Sequence, residues 1–116
     1  MHVHHLYCDA HGQSHFRDIE VELTEPSHGG FLSKPQSVSA MMFRQIEPGV
    51  SRDWHNAPSR QYVISLCGRL KTIASDGESR TLGAGEVMLV EDTIGKGHKV
   101  EALPGAPFRA IFVEVK

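Results

Sequence analysis

Apolar and polar residues alternate along most of this chain with a period of two, and no stretch sustains the 3.6-residue period of an amphipathic helix. From His15 to Leu23, Phe16, Asp18, Glu20 and Glu22 fall on one side and Ile19, Val21 and Leu23 on the other. Comparable short runs predict strands over Met1–Tyr7, His15–Leu23, Val38–Ile46, Arg52–Asn56 and Arg60–Leu66. Further strands are predicted over Arg69–Ser75, Ser79–Leu82, Glu86–Val90, His98–Ala102 and Phe108–Val115. Turn formers separate them: Asp9-Ala10-His11-Gly12 after the first, Asp76-Gly77 as a two-residue hairpin turn, and Pro104-Gly105 at a later reversal. Thr24 to Gln36, with Pro26, Gly29, Gly30 and Pro35, reads as one long connection. Closely spaced strands with no helices between them exclude a parallel α/β sheet and predict an antiparallel sandwich, jelly roll or barrel. Closing the barrel would remove the exposed strand edges.

Composition narrows the class. A chain of 116 residues suits a single domain, with residues 1–37 as N-terminal strands and loop and 38–116 as the barrel body. The formal net charge is −2 and no Lys/Arg cluster occurs, which argues against a nucleic-acid partner. Cys8 and Cys67 are too few for a disulfide framework and read as thiols in a reducing compartment. No run approaches the roughly 20 apolar residues of a membrane span, and the start lacks a signal-peptide pattern. The expectation is a soluble, cytoplasmic protein with no membrane partner.

Candidate chemistry concentrates in Gly49–Gly68, GVSRDWHNAPSRQYVISLCG. A reversal about Pro58 would set His55 directly opposite Gln61, with Asp53 and Val63 next on the same face. Trp54, Tyr62, Ile64 and Leu66 would occupy the other face. Two arrangements are open: the apolar face forms the core and the polar face meets solvent, or the polar face lines a pocket and the apolar face is covered by another strand or subunit. Elsewhere, His2 and His4 share a predicted strand face, either as surface histidines of an edge strand or as a transition-metal pair. Gly95-Lys96-Gly97 lets the chain turn back before His98, with Lys96 at the cavity mouth.

Gly49, five residues, His55, then Gln61 and, after six more residues, Gly68 resembles the first motif of the cupin superfamily. Gly83–His98, GAGEVMLVEDTIGKGH, is similar to the second, and DWHNAPSRQYVI and LVEDTIGKGHKV resemble segments of small single-domain bacterial cupins. The resemblance covers about Met42 to Val115 and implies an all-β, cupin-like double-stranded β-helix, or jelly-roll barrel. In that motif Gln61 stands at the glutamate position and Ala57 at the second histidine. The Gly85–His98 spacing is two residues longer than usual, and Glu91 replaces a proline.

By resemblance, His55, Gln61 and His98 converge inside the barrel on a divalent metal such as iron, manganese, nickel or zinc. Asp53 or Glu91 would then be a catalytic base or charge-balancing group, and Asp92 could also restore the charge balance. Two functional classes follow: a metal-dependent oxygenase, isomerase, cyclase or lyase acting on a small organic substrate, or a metal-free cupin that binds or senses a small metabolite. The apolar set Trp54, Tyr62, Ile64 and Leu66 further predicts a homodimer.

Overall fold

The computed structural model describes all residues from Met1 to Lys116 and contains strands, turns and bends but no helix. Twelve strands run in the order β1 (His2–Cys8), β2 (Ser14–Glu20), β3 (Glu25–Ser27), β4 (Gly30–Leu32), β5 (Val38–Ile46) and β6 (Ser51–His55). They continue as β7 (Gln61–Cys67), β8 (Leu70–Ala74), β9 (Ser79–Leu82), β10 (Val87–Val90), β11 (His98–Ala102) and β12 (Phe108–Val115). Ten of these match the strands predicted from alternation. The other two, β3 and β4, form a separate ribbon inside the segment expected to be a loop. Three-residue strands containing Pro26 and Gly30 carry no readable alternation.

A six-stranded sheet, β2-β1-β10-β7-β12-β5, opposes a four-stranded sheet, β6-β11-β8-β9. The N-terminal hairpin is part of the larger sheet: β1 pairs antiparallel with β2 and parallel with β10. β1 is therefore an inner strand, where the sequence suggested an edge. The two sheets do not join into a closed hydrogen-bonded cylinder, so the architecture is a jelly roll with open seams. Single contacts stitch the seams, among them Ser14 N–H to Ser75 Oγ at 2.7 Å and Ser14 Oγ to the Gly97 carbonyl at 2.7 Å.

Alternation directs one side of each strand into the space between the sheets. Leu6, Phe16, Val63, Met88, Val90, Phe108 and Ala110 of the larger sheet meet Leu70, Ala74, Leu82 and Ala102 of the smaller. At roughly 25 cal/mol per Å² of apolar area, this burial is the main term holding the sheets face to face. The packing fills one end of the interlayer space. The other end, between β5, β6, β7, β11 and β12, stays hollow.

The Asp76-Gly77 turn has three loop residues, one more than expected. Gly77 N–H bonds the Ala74 carbonyl at 3.0 Å and Ala74 N–H bonds the Glu78 carbonyl at 2.9 Å, with Gly77 at φ 96°. That is a type I turn closed by a glycine bulge.

Candidate functional site

The hollow end encloses a cavity of about 640 Å³, and 11 of its 19 lining residues are hydrophobic. That volume lies within the range of small-molecule sites. His55, Gln61 and His98 all line it. His55 and His98 are direct cross-strand partners on β6 and β11, with ring centroids 4.3 Å apart.

Gln61 arrives from the opposite sheet, on β7, and so faces the imidazoles across the cavity instead of pairing with His55 in a hairpin. The expected reversal about Pro58 is replaced by a crossing between sheets. The crossing is fixed by polar groups of the chain itself. Asn56 Nδ2 donates to the Asp92 and Gly95 carbonyls at 3.2 and 3.1 Å, and Ala57 N–H donates to the Asp92 carbonyl at 3.3 Å. Pro58 has no N–H to contribute to a ladder. Ala57, at the position of the second motif histidine, is buried in the hydrophobic cluster and also lines the cavity.

Each imidazole has one nitrogen tied back to the protein. His98 Nδ1 lies 2.5 Å from Asp92 Oδ2, and His55 Nδ1 donates to the Asp53 carbonyl at 2.7 Å. Neither Nε2 bonds any group of the chain, so both are available to the cavity. Burial is the largest influence on His55 and pulls its pKa below the usual value of 6.5, only partly opposed by the Asp53 carbonyl. The nearby charges of His98 and Arg52 act in the same direction as burial. His55 is thus neutral at physiological pH, the state in which an imidazole can coordinate a metal or accept a proton. Asp92 is fully buried, and its Oδ1 has no hydrogen-bond partner. A buried carboxylate needs a compensating cation. The side chain bonded to it is His98, whose Nε2 is open to the cavity.

Asp53 and Glu91 do not line the cavity. A β-bulge explains Asp53. Arg52 pairs with Val100 and His55 with His98, so Asp53 and Trp54 together oppose the single residue Lys99. Both turn outward, and the Lys99 ammonium lies over the Trp54 ring at 4.9 Å. Glu91 is held on the outer side of the larger sheet by His5 Nε2 and Arg60 Nε, each at 2.6 Å. Lys96 also misses the mouth: its ammonium binds Gln13 Oε1 at 2.9 Å.

In their place the cavity holds Arg44, Arg52 and Glu114. Arg44 sits on β5, where its guanidinium lies 5.5 Å from the centre of the Phe112 ring. Glu114 sits beside Gln61 on paired strands. Arg44 and Glu114 follow the inward parity of Met42 and Phe112 on β5 and β12. Extending the alternation argument to those two strands would have found them. Arg52 lies three positions from His55, so strict alternation places it on the wrong face.

A second cluster joins His2, His4 and Asp18, whose potential ligand atoms lie within 4.8 Å of one another. Its cation is already present. Arg80 NH1 bonds Asp18 Oδ1 at 2.7 Å and lies 3.1 Å from His4 Nδ1, while His2 Nε2 bonds Asp18 Oδ1 at 2.7 Å.

Comparison with known proteins places the fold. No family model matches the chain, and no curated protein does. Among solved structures, it is similar to a cupin-like protein from Thermotoga maritima, with a TM-score of 0.55 at 23% identity over 65% of this chain and 55% of that one. A cupin 2 conserved barrel domain protein from Leptotrichia buccalis aligns with a TM-score of 0.54 at 28% identity, over 71% of this chain and 39% of its own. The polyketide cyclase RemF from Streptomyces resistomycificus aligns with a TM-score of 0.54 at 20% identity, over 65% and 52%. The chain thus matches between 39% and 55% of the length of these three proteins. With its all-β jelly roll and such neighbours, the chain has a cupin-like fold and resembles the small cupin-domain proteins of bacteria.

Proposed function

We propose that this chain is a small-molecule-binding cupin whose cavity holds a divalent metal on His55 and His98, with Gln61 as a third donor, and acts on a small organic substrate. The observation that carries this reading is the pair of imidazoles whose Nδ1 atoms are both tied back while both Nε2 atoms face one cavity. A carboxylate or carbonyl behind each ligating imidazole is the usual support of a protein metal site. The fully buried Asp92 carboxylate, bonded to His98 through one oxygen and unpartnered at the other, would add the negative charge that the Gln61 amide lacks. A metal there would polarise a substrate oxygen.

The chain's own groups supply the remaining tasks. The apolar lining excludes water, Gln61 offers both an amide donor and a carbonyl acceptor, and Glu114 takes the proton-accepting role first expected of Asp53 or Glu91. The reaction class is that of an oxygenase, isomerase, cyclase or lyase. Elemental analysis of tag-free protein tests the reading. Near-stoichiometric iron, manganese, nickel or zinc, lost in a His55→Ala/His98→Ala double variant, supports it. A parent protein without metal after reconstitution overturns it and leaves a metal-free binding module.

The proposal extends to a cytoplasmic homodimer. The outer face of the larger sheet carries Met41, Phe43, Tyr62, Ile64, Ile111 and Val113 side by side on β5, β12 and β7, and Phe43 is 75% exposed. Trp54 belongs to the other sheet and takes no part. An uncharged, self-complementary stripe suits a second copy related by a two-fold axis. Sedimentation should show a dimer that Phe43→Glu dissociates. A monomeric parent at micromolar concentration would rule the dimer out.

A further inference from the structure

Of the seven arginines, four are engaged by the chain's own groups, and Arg69, outside the cavity, is unpaired. Arg17 donates to His5, Arg60 to Glu91, Arg80 to Asp18 and Glu78, and Arg109 to Gln45. The two arginines of the cavity, Arg44 and Arg52, make no hydrogen bond or ion pair with the chain, although both line a space that also contains a carboxylate, Glu114. They belong to opposite sheets, Arg44 to β5 and Arg52 to β6. Both line the cavity from the same side of their strands as their cross-strand partners, Ala110 and Val100.

Among the side chains that line the cavity, two guanidinium groups stand against one carboxylate, Glu114, a surplus of one positive charge without counting the imidazoles. Both arginines are exposed residues, so the surplus sits at the open rim beside an apolar lining, a setting that attracts anions. A guanidinium matches a carboxylate with two parallel N–H···O bonds. A single carboxylate fits the one-charge surplus, whereas a phosphate monoester carries roughly 1.5 to 2 negative charges at neutral pH. The rest of the lining is largely hydrophobic and includes Phe112, Met42, Val63 and Val100.

We propose that the ligand of this cavity is a monocarboxylate with an apolar body, gripped by Arg44 and Arg52 at the mouth while its apolar part reaches toward the imidazoles. The inference rests on the reading of the cavity as a ligand site, and it names the class of ligand. It does not require a metal, because the guanidinium groups that would grip the anion belong to the chain itself. The bulge in β6 is what makes it possible, since it brings Arg52 onto the cavity side along with His55.

The test is a ligand-observed NMR titration of the protein as purified. The probes are matched pairs: benzoate with benzamide, 3-phenylpropionate with 3-phenylpropionamide, hexanoate with hexanamide, and phenyl phosphate as a dianionic comparator. The carboxylates should bind more tightly than their amides by about tenfold or more, the usual worth of a charge-assisted bidentate contact. The preference should vanish in Arg44→Gln/Arg52→Gln and persist in Lys96→Gln, whose charge lies outside the cavity. Neither arginine holds the fold together, so melting temperatures should stay close to the parent's and confirm an intact protein. Equal binding of acids and amides would overturn the carboxylate assignment while leaving the cavity reading intact. A preference that survives the double arginine substitution, or tighter binding of phenyl phosphate than of benzoate, would also overturn it. If no probe of either kind binds, the reading of the cavity as a ligand site falls with it.

Discussion

Histidine is abundant at two places in this molecule, and the two use it in opposite ways. On β1 and β2 the imidazoles bond groups of the chain itself: His2 to Asp18, His4 to Glu86 and Arg80, His5 to Glu91 and Arg17, His15 to Asp9 and Asp76. Arginine behaves likewise there, with Arg17 and Arg80 in contact with carboxylates, imidazoles or aromatic rings. In the cavity, His55 and His98 each retain an unspent nitrogen, and Arg44 and Arg52 retain their hydrogen-bond donors, although Arg44 also lies over the Phe112 ring. The residue types are the same in both places. What separates a site from a scaffold is hydrogen-bonding capacity left over after folding.

The sharpest way to break the comparison is through metal content. His2→Ala/His4→Ala should leave any bound metal near its parental stoichiometry, because Arg80 already supplies the cation of that cluster; elemental analysis showing metal lost from this variant would reverse the assignment of the two regions. Next in size is Gly97→Ala. Gly97 has φ +77°, and a methyl group there would lie 2.2 Å from the His55 carbonyl oxygen. The substitution should cost roughly 3 kcal/mol, read by urea denaturation, since strained backbone and a rigid clash add. It should also separate His55 from His98.

Asp92→Asn keeps the shape but removes the charge behind His98, and should weaken metal affinity by about 10- to 100-fold. Affinity unchanged in a chelator competition would mean that the carboxylate is only structural.

The smallest effect concerns the clamp around His15, which ties the Asp9 turn to the Asp76 turn with contacts of 2.6 and 2.9 Å. Its hydrogen bond to Asp9, aided by Asp76, raises the His15 pKa above 6.5, and the same bond draws Asp9 down from 3.8 to about 2. A raised histidine pKa stabilises fully below 6.5 and the gain is lost as pH rises through the folded value. A lowered aspartate pKa stabilises above 3.8 and the gain is lost as pH falls toward 2. The melting difference between the parent and His15→Gln should therefore be greatest between about pH 4 and 6.5 and shrink on either side. A pH-independent difference would show that the clamp acts through packing alone.

Much of the fold was legible because strand alternation and turn chemistry are local properties. Ten strands could be placed from runs such as Gln61–Cys67, whereas β3 and β4 are too short and too rich in glycine and proline to signal. The cavity was legible only in part. His55, Gln61 and His98 do line it, but their arrangement could not be read, since it depends on a crossing between sheets fixed by the Asn56 amide. Asp53 was misplaced because alternation assumes an unbroken pleat, and the bulge breaks it. Glu91 was misplaced because its partners, His5 and Arg60, are 86 and 31 positions away in the chain. Arg44 and Glu114 were within reach of the same alternation on β5 and β12, and went unread.

The bulge in β6 has one more consequence. Between their shared partners, β6 carries two residues where β11 carries one. The spacing along the cavity wall is thus encoded in a length difference, a count that no single substitution can alter. Deleting Asp53 would restore an even ladder and still leave His55 and Arg52 facing inward, now as next-but-one neighbours on a flatter strand. Changes of one residue in chain length at this point, more than exchanges of side chains, are therefore the direct way to retune the distance between the imidazole pair and Arg52.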